Sequence, residues 1–212
     1  MSRPAAPIRF YRHPLSGHAH RVELMLNLLG LPFEPVDVDL AHGEQNGAAF
    51  RALNPFGQVP VIVDGDRVVA DSNAILVYLA LRYDEGGKWL PRDPEAAAAI
   101  QRWLSVAAGP LAYGAAAARV NALFGRPDDP RAREIAAAML DRMEEHLAGR
   151  DFLAAPTPTI ADLAMYAYTS HAPEGGVSLD GHPGVKRWLA RVEAIPGFVG
   201  MVRSQPATRK SA

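Results

Sequence analysis

The chain contains no cysteine. That absence excludes a disulfide scaffold, thiolate metal sites and any enzyme whose own thiol is the nucleophile. No apolar run approaches the roughly 20 residues that a membrane span needs. The opening Met1-Ser2-Arg3-Pro4-Ala5-Ala6-Pro7 holds no apolar stretch long enough for a signal peptide. Excess charge is lacking too: 22 basic residues stand against 23 acidic ones, which argues against a nucleic-acid or polyanion binder. Metal binding by His18 and His20 is not expected, for want of a carboxylate partner at ligand spacing, and no metal site is expected elsewhere. What is there is a chain of 212 residues, 49% of them apolar, expected to be a soluble cytoplasmic protein with a real core.

Apolar periodicity supplies the organisation. Ile8 to Arg12 reads as a strand and His13 to Gly17 as a turn. A helix follows, with Val22, Leu24, Met25, Leu28 and Leu29 at three- and four-residue spacing until Gly30 and Pro32 stop it. Pro35 to Asp39 reads as a second strand, completing a βαβ unit with parallel strands. Leu40 to Gly57 is polar loop, helical only around Ala48 to Leu53. Two more strands, 59–63 and 67–70, flank the hairpin signal Asp64-Gly65-Asp66, and a helix over 72–83 completes a βαβ-ββα order. Residues 84–94, with Gly86-Gly87, Pro91 and Pro94, read as a linker.

Beyond the linker the chain is alanine-rich and helical. Helices are expected over 95–118, with a kink at Gly109-Pro110, and over 130–147, 159–170 and 182–194. Thr159-Ile160-Ala161-Asp162 fits a capping box, and the tail from Gln205 to Ala212 is expected to be loose. The expected fold class is α/β plus all-α: a small mixed-sheet domain over 1–83, the linker 84–94 and a helical domain over 95–212.

Three spots in the first domain could carry chemistry. Ser16, at the entrance to the first helix, is either an ordinary N-cap or a hydroxyl donor that joins the helix N-terminus in stabilising an anion such as a thiolate. Pro60, at the start of a strand, is either an edge residue or, if the Val59-Pro60 bond is cis, leaves backbone groups free for an extended peptide. Asp71-Ser72 is either a helix cap or a clamp in which Asp71 takes an ammonium and Ser72 a carboxylate.

In this order, these segments resemble the cytosolic glutathione transferases. The most specific stretch is Leu53-Asn54-Pro55-Phe56-Gly57-Gln58-Val59-Pro60-Val61, continued by Asp71-Ser72-Asn73-Ala74-Ile75 and Tyr78-Leu79. The spacing from Ser16 to Gly30 and the Arg21-Val22 pair are similar to serine-type members of theta-, zeta- or nu-like character, as found in bacteria. The resemblance implies a thioredoxin-like domain followed by a helical bundle, and glutathione as co-substrate. It implies that Ser16 hydrogen-bonds the glutathione sulfur, with Tyr11 as the alternative at the end of the first strand. The backbone of Val59, before Pro60, would pair with the cysteinyl unit, and Asp71 and Ser72 would hold the γ-glutamyl end. Gln45 falls where theta-like members bind the glycine end, with His42 and Gln58 as helpers.

The implied activity is conjugation of the thiolate to a small hydrophobic electrophile, a detoxification reaction. Peroxide reduction, dehalogenation and isomerisation start from the same thiolate. The electrophile pocket is expected between the domains, with Trp103, Ala107, Ala108, Tyr113 and Arg119 as candidates, and a homodimer is implied, with Phe56 a possible anchor. Two departures stand out: Asp71 replaces the usual glutamate, and Glu23 stands where many relatives carry a basic residue. The competing reading is a non-catalytic module that keeps the fold for interaction or ligand carriage.

Overall fold

The computed structural model describes residues 3–204; Gln205 to Ala212, expected to be loose, lie outside the described residues. In β1 (Ile8–Arg12) Ile8 and Phe10 are fully buried while Arg9 is exposed, the alternation of a strand with one face on the core. α1 (Gly17–Leu28) carries the chain to β2 (Phe33–Asp37), which runs parallel to β1. β2 starts two residues earlier than the sequence suggests. Its register is fixed by pairing of Phe33 with Ile8 and by edge-on packing of the Phe33 and Phe10 rings, 6.1 Å apart.

After the short helix α2 (Ala48–Leu53), β3 (Val61–Asp64) and β4 (Arg67–Ala70) form the hairpin, giving the strand order β2-β1-β3-β4 with β3 antiparallel to β1. β3 begins at Val61 and not at 59, because Pro60 has no N–H to give to a ladder. On one face of the sheet Phe50 of α2 packs with Val38 and Val61. On the other, Phe10 and Ile62 join Val22, Ile75 and Leu79 from α1 and α3 (Ser72–Tyr83).

The expected kinked helix over 95–118 is instead three consecutive segments: α4 (Pro94–Val106), a π-helix over Ala107–Ala116 and α5 (Ala117–Leu123). Pro110 sits inside the π-helix. Without an N–H it breaks the i→i−4 ladder, and the wider i→i+5 pattern takes over. The change of pitch rotates every later side chain away from the face that a 3.6-residue repeat assigns it.

α6 (Pro130–His146) packs on the π-helix, and α7 (Ile160–Ser170), buried along its whole length, touches α1, α3 and α4. α8 (Pro183–Glu193) packs on α6 and α7 and supplies the fully buried Trp188. The capping box forms: Thr159 caps α7, and the buried Asp162 carboxylate returns to the Thr159 amide at 2.8 Å. Asp162 also accepts from the amide of Leu153 at 3.0 Å and from Trp188 Nε1 at 2.9 Å, so one carboxylate joins a loop, a cap and α8. Among the described residues no helix is long and apolar enough to cross a membrane.

Candidate active site

α1 and α3 both direct their N-termini into one cleft of about 770 Å³. Its walls include Ser16, His18, Leu40, Gln45, the loop from Asn54 to Pro60, and Ala70, Asp71 and Ser72. Helix N-termini carry free amides and partial positive charge, so a cleft built from two of them favours an anionic ligand.

Ser16 is the N-cap of α1, its Oγ accepting from the Ala19 amide at 3.2 Å. The cap uses a lone pair and leaves the hydroxyl hydrogen free. Ser16 is fixed from behind by close packing: a Cβ on Gly17 would stand 2.8 Å from the Tyr168 ring of α7, so only glycine lets the helix start lie there. Asp71 caps α3, its Oδ1 accepting from the amides of Asn73 and Ala74 at 2.9 Å each. It does so at φ 73°, a conformation that L residues rarely adopt and that costs on the order of 1–3 kcal/mol. Strain of this kind concentrates at binding sites, and Asp71 faces the cleft.

The Val59–Pro60 peptide is cis, and because β3 begins at Val61 the amide and carbonyl of Val59 lie outside the ladder. Asn54, to which the sequence reading gave no role, shapes this loop: its Nδ2 donates to the Gln58 carbonyl at 2.8 Å and its Oδ1 accepts from the Phe56 amide at 3.1 Å. An Asn ahead of Pro-Phe-Gly is a recognisable Asx-turn signal. Gln45 reaches the cleft with its Oε1 buried and without a hydrogen-bond partner among the described residues.

His18 shares the cleft with Ser16 and lies edge-on to Tyr168, the rings 5.0 Å apart. Enclosure and the neighbouring Arg21 guanidinium lower it to about 3, so the imidazole is neutral at physiological pH. Glu23 is ion-paired with Arg12, which it shares with Asp37. Arg12 Nη1 donates to both of its oxygens at 2.7 Å, and Arg12 Nε donates to Asp37 at 2.9 Å.

Some expected site residues fall elsewhere. Tyr11 is on the α2 side of the sheet, its ring edge-on to Phe50 at 6.2 Å, and is not among the residues lining the cleft. His42 is exposed and bound to Asp39, Nδ1 to Oδ2 at 2.5 Å. The five residues expected around an electrophile are not brought together. Ala107 is fully buried, Ala108 faces solvent and Tyr113 is 70% exposed. Trp103 lines a separate apolar cavity beside α6.

Arg119 is fully buried in an ion pair with Glu174 at 2.7 Å. It also donates to Ser204 Oγ at 3.0 Å and to the Leu15 carbonyl at 2.8 Å. Each guanidinium nitrogen is engaged and the side chain is closed to solvent, so Arg119 is not presented to a substrate carboxylate; it ties the helical domain to the loop that leads into Ser16. Downstream of Pro110 the π-helix changes the face that Tyr113 presents, where only a kink was expected; Trp103 lies upstream of it, in α4.

The architecture is that of thioredoxin-like proteins that carry a second, helical domain. Comparison narrows it further. The model of the glutathione S-transferase N-terminal domain matches residues 15–82 and that of the C-terminal domain residues 111–196. Glutathione S-transferase 3 of Zea mays is 37% identical over 215 residues, 95% of this chain and 96% of that protein. Glutathione S-transferase theta-1 of Mus musculus is 29% identical, over 90% of this chain and 84% of that protein. The crystal structure of a glutathione S-transferase from Pseudomonas fluorescens Pf-5 superposes with a TM-score of 0.87 at 35% identity, covering 93% of this chain and 100% of that one. The chain belongs to the glutathione S-transferase family and is a transferase.

Proposed function

We propose that the cleft binds glutathione, that Ser16 and the start of α1 stabilise its sulfur as a thiolate, and that the thiolate attacks a small hydrophobic electrophile. The observation that carries this reading is the convergence of Ser16, Gln45, Val59, Pro60, Asp71 and Ser72 on a single cleft. They come from four separate stretches of the chain. The reading gives each end of the tripeptide a partner: Asp71 Oδ2 for the ammonium, Ser72 and the amides of α3 for the α-carboxylate, the free backbone of Val59 for the cysteinyl unit, and Gln45 for the glycine end. Gln58 adds to the same wall, while His42, bound to Asp39, contributes nothing direct. The division into 1–83, 84–94 and 95–212, action in the cytoplasm and a detoxifying role belong to the same reading. Calorimetric titration with glutathione, followed by turnover of an activated aryl halide, tests it. Saturable binding with conjugate formation supports the proposal, and absence of binding contradicts it.

We further propose a homodimer in which the first domain of one subunit meets the helical domain of the other. Phe56 is 85% exposed at a loop tip, an unfavourable place for an aromatic ring left uncovered. The helical domain carries a cavity of about 460 Å³ whose apolar wall is made by Trp103, Val106, Pro110, Ile135, Met139 and Met143, with Arg102, Arg142 and His146 also lining it. A ring from a second copy fits that chemistry. Phe56→Ala is expected to convert a dimer to a monomer in sedimentation analysis at micromolar protein; an unchanged dimer would contradict the anchor.

A further inference from the structure

Arg21 occupies the core face of α1, three, four and seven residues before Leu24, Met25 and Leu28. Its side chain is 1% exposed, yet its guanidinium makes no ion pair among the described residues. Nη1 donates to Ser72 Oγ at 3.2 Å and to Asn73 Oδ1 at 2.9 Å, both neutral acceptors, while Nε and Nη2 have no partner among the described residues. Asp71 acts on it only through space, its Oδ1 being engaged by the amides of Asn73 and Ala74. Charges are rarely buried without an opposite charge, because desolvation of the ion is not recovered from neutral dipoles alone.

The missing anion has an obvious point of entry. Ser72 has one hydroxyl hydrogen and two lone pairs. Arg21 takes a lone pair, so the hydrogen is left to turn into the cleft that Ser72 lines. There it meets His18 Nδ1 at 3.5 Å, too long for a firm bond. An arriving carboxylate takes that hydrogen at better geometry and sets a negative charge one hydroxyl away from the buried cation.

We propose that Arg21 is a positioning residue for glutathione: acting through Ser72, it is the buried counter-charge of the γ-glutamyl carboxylate. This rests on the reading of the cleft as a glutathione site. Asn73 completes the arrangement, since its Nδ2 donates to the Leu104 carbonyl at 3.0 Å while its Oδ1 holds Arg21, anchoring the cation to α4.

The test separates a charge role from a merely structural one by changing the ligand as well as the protein. Binding of glutathione is compared with that of 4-aminobutyryl-cysteinyl-glycine, which lacks only the α-carboxylate, in the wild type and in Arg21→Met and Arg21→Gln. Methionine fills the buried site with an apolar chain, a replacement that buried ions often tolerate. The expected result is that both variants lose about tenfold or more in affinity for glutathione but less than about twofold for the analogue. Equal losses for the two ligands, or no loss for glutathione, overturn the proposal. Failure of both variants to fold overturns it too, because it assigns Arg21 to the structure. A wild-type protein that does not bind glutathione at all removes the underlying reading instead, and this inference with it.

Discussion

Ser16→Ala is expected to lower conjugation by about 10- to 100-fold near neutral pH while leaving affinity for S-methylglutathione within about twofold. A hydrogen bond to a charged acceptor contributes about 1.5–3 kcal/mol, and one pKa unit corresponds to 1.36 kcal/mol. Losing the donor therefore raises the bound thiol by about 1–2 units, and below both values the thiolate fraction falls in proportion. The blocked sulfur of S-methylglutathione carries no proton and no charge, so its binding reports on everything in the cleft except the hydroxyl. Ser16 also caps α1 through the Ala19 amide, so the same substitution costs about 1 kcal/mol of stability. Ser16→Thr keeps both the cap and the donor and is expected to retain most of the rate. A Ser16→Ala enzyme as fast as the wild type at saturating glutathione would sink the assignment.

Asp162→Ala is expected to destabilise the protein by about 4 kcal/mol, a fall in Tm of about 10 °C for a chain of this length. The carboxylate is fully buried and satisfies the Leu153 and Thr159 amides, the Thr159 hydroxyl and Trp188 Nε1. Removing it strands these donors in a site closed to water, each at about 1–3 kcal/mol before relaxation. Part of this is offset, because burial itself pushes the Asp162 carboxyl up and so opposes the charged form. Asp162→Asn keeps one acceptor but presents an amide hydrogen to another donor, so it should fall between the wild type and alanine. Thermal unfolding followed by circular dichroism measures this. A loss below about 1 kcal/mol would mean that the box is ornamental to α7.

The parts of the molecule legible in the sequence are those determined by short-range chemistry. Gly30 and Pro32 stop α1, Thr159 and Asp162 start α7, and Asp64-Gly65-Asp66 turns the hairpin, each acting through neighbours in the chain. Ser16 and Asp71 were visible for the same reason, since an N-cap is a local signal and the structure shows both side chains capping. The segment from Asn54 to Pro60 was visible because proline and asparagine constrain their own backbone.

What was not legible depends on distant partners. The start of β2 is set by Ile8, twenty-five residues away in the chain, and not by its own β-propensity. The face presented by Ala108 and Tyr113 depends on the pitch of the π-helix around Pro110, and side-chain periodicity carries no record of that change. Arg119 could not be told from a substrate-binding arginine, because Glu174, which neutralises it, lies fifty-five residues on. Arg21 entered the sequence reading only through the Arg21-Val22 pair; its register with Leu24, Met25 and Leu28 also marks a charge that must be buried with a partner or for a ligand.

The measurement that bears most directly on the account is the ultraviolet thiolate band of glutathione bound to the protein, titrated against pH. It needs no electrophile and reads the proposed role of the cleft alone. The account predicts a bound thiol ionising at least about one unit below a free thiol, with Ser16→Ala raising it by about 1–2 units and Tyr11→Phe leaving it in place. A bound thiol that ionises as it does in water, or a thiolate indifferent to Ser16→Ala and lost with Tyr11→Phe, would contradict it.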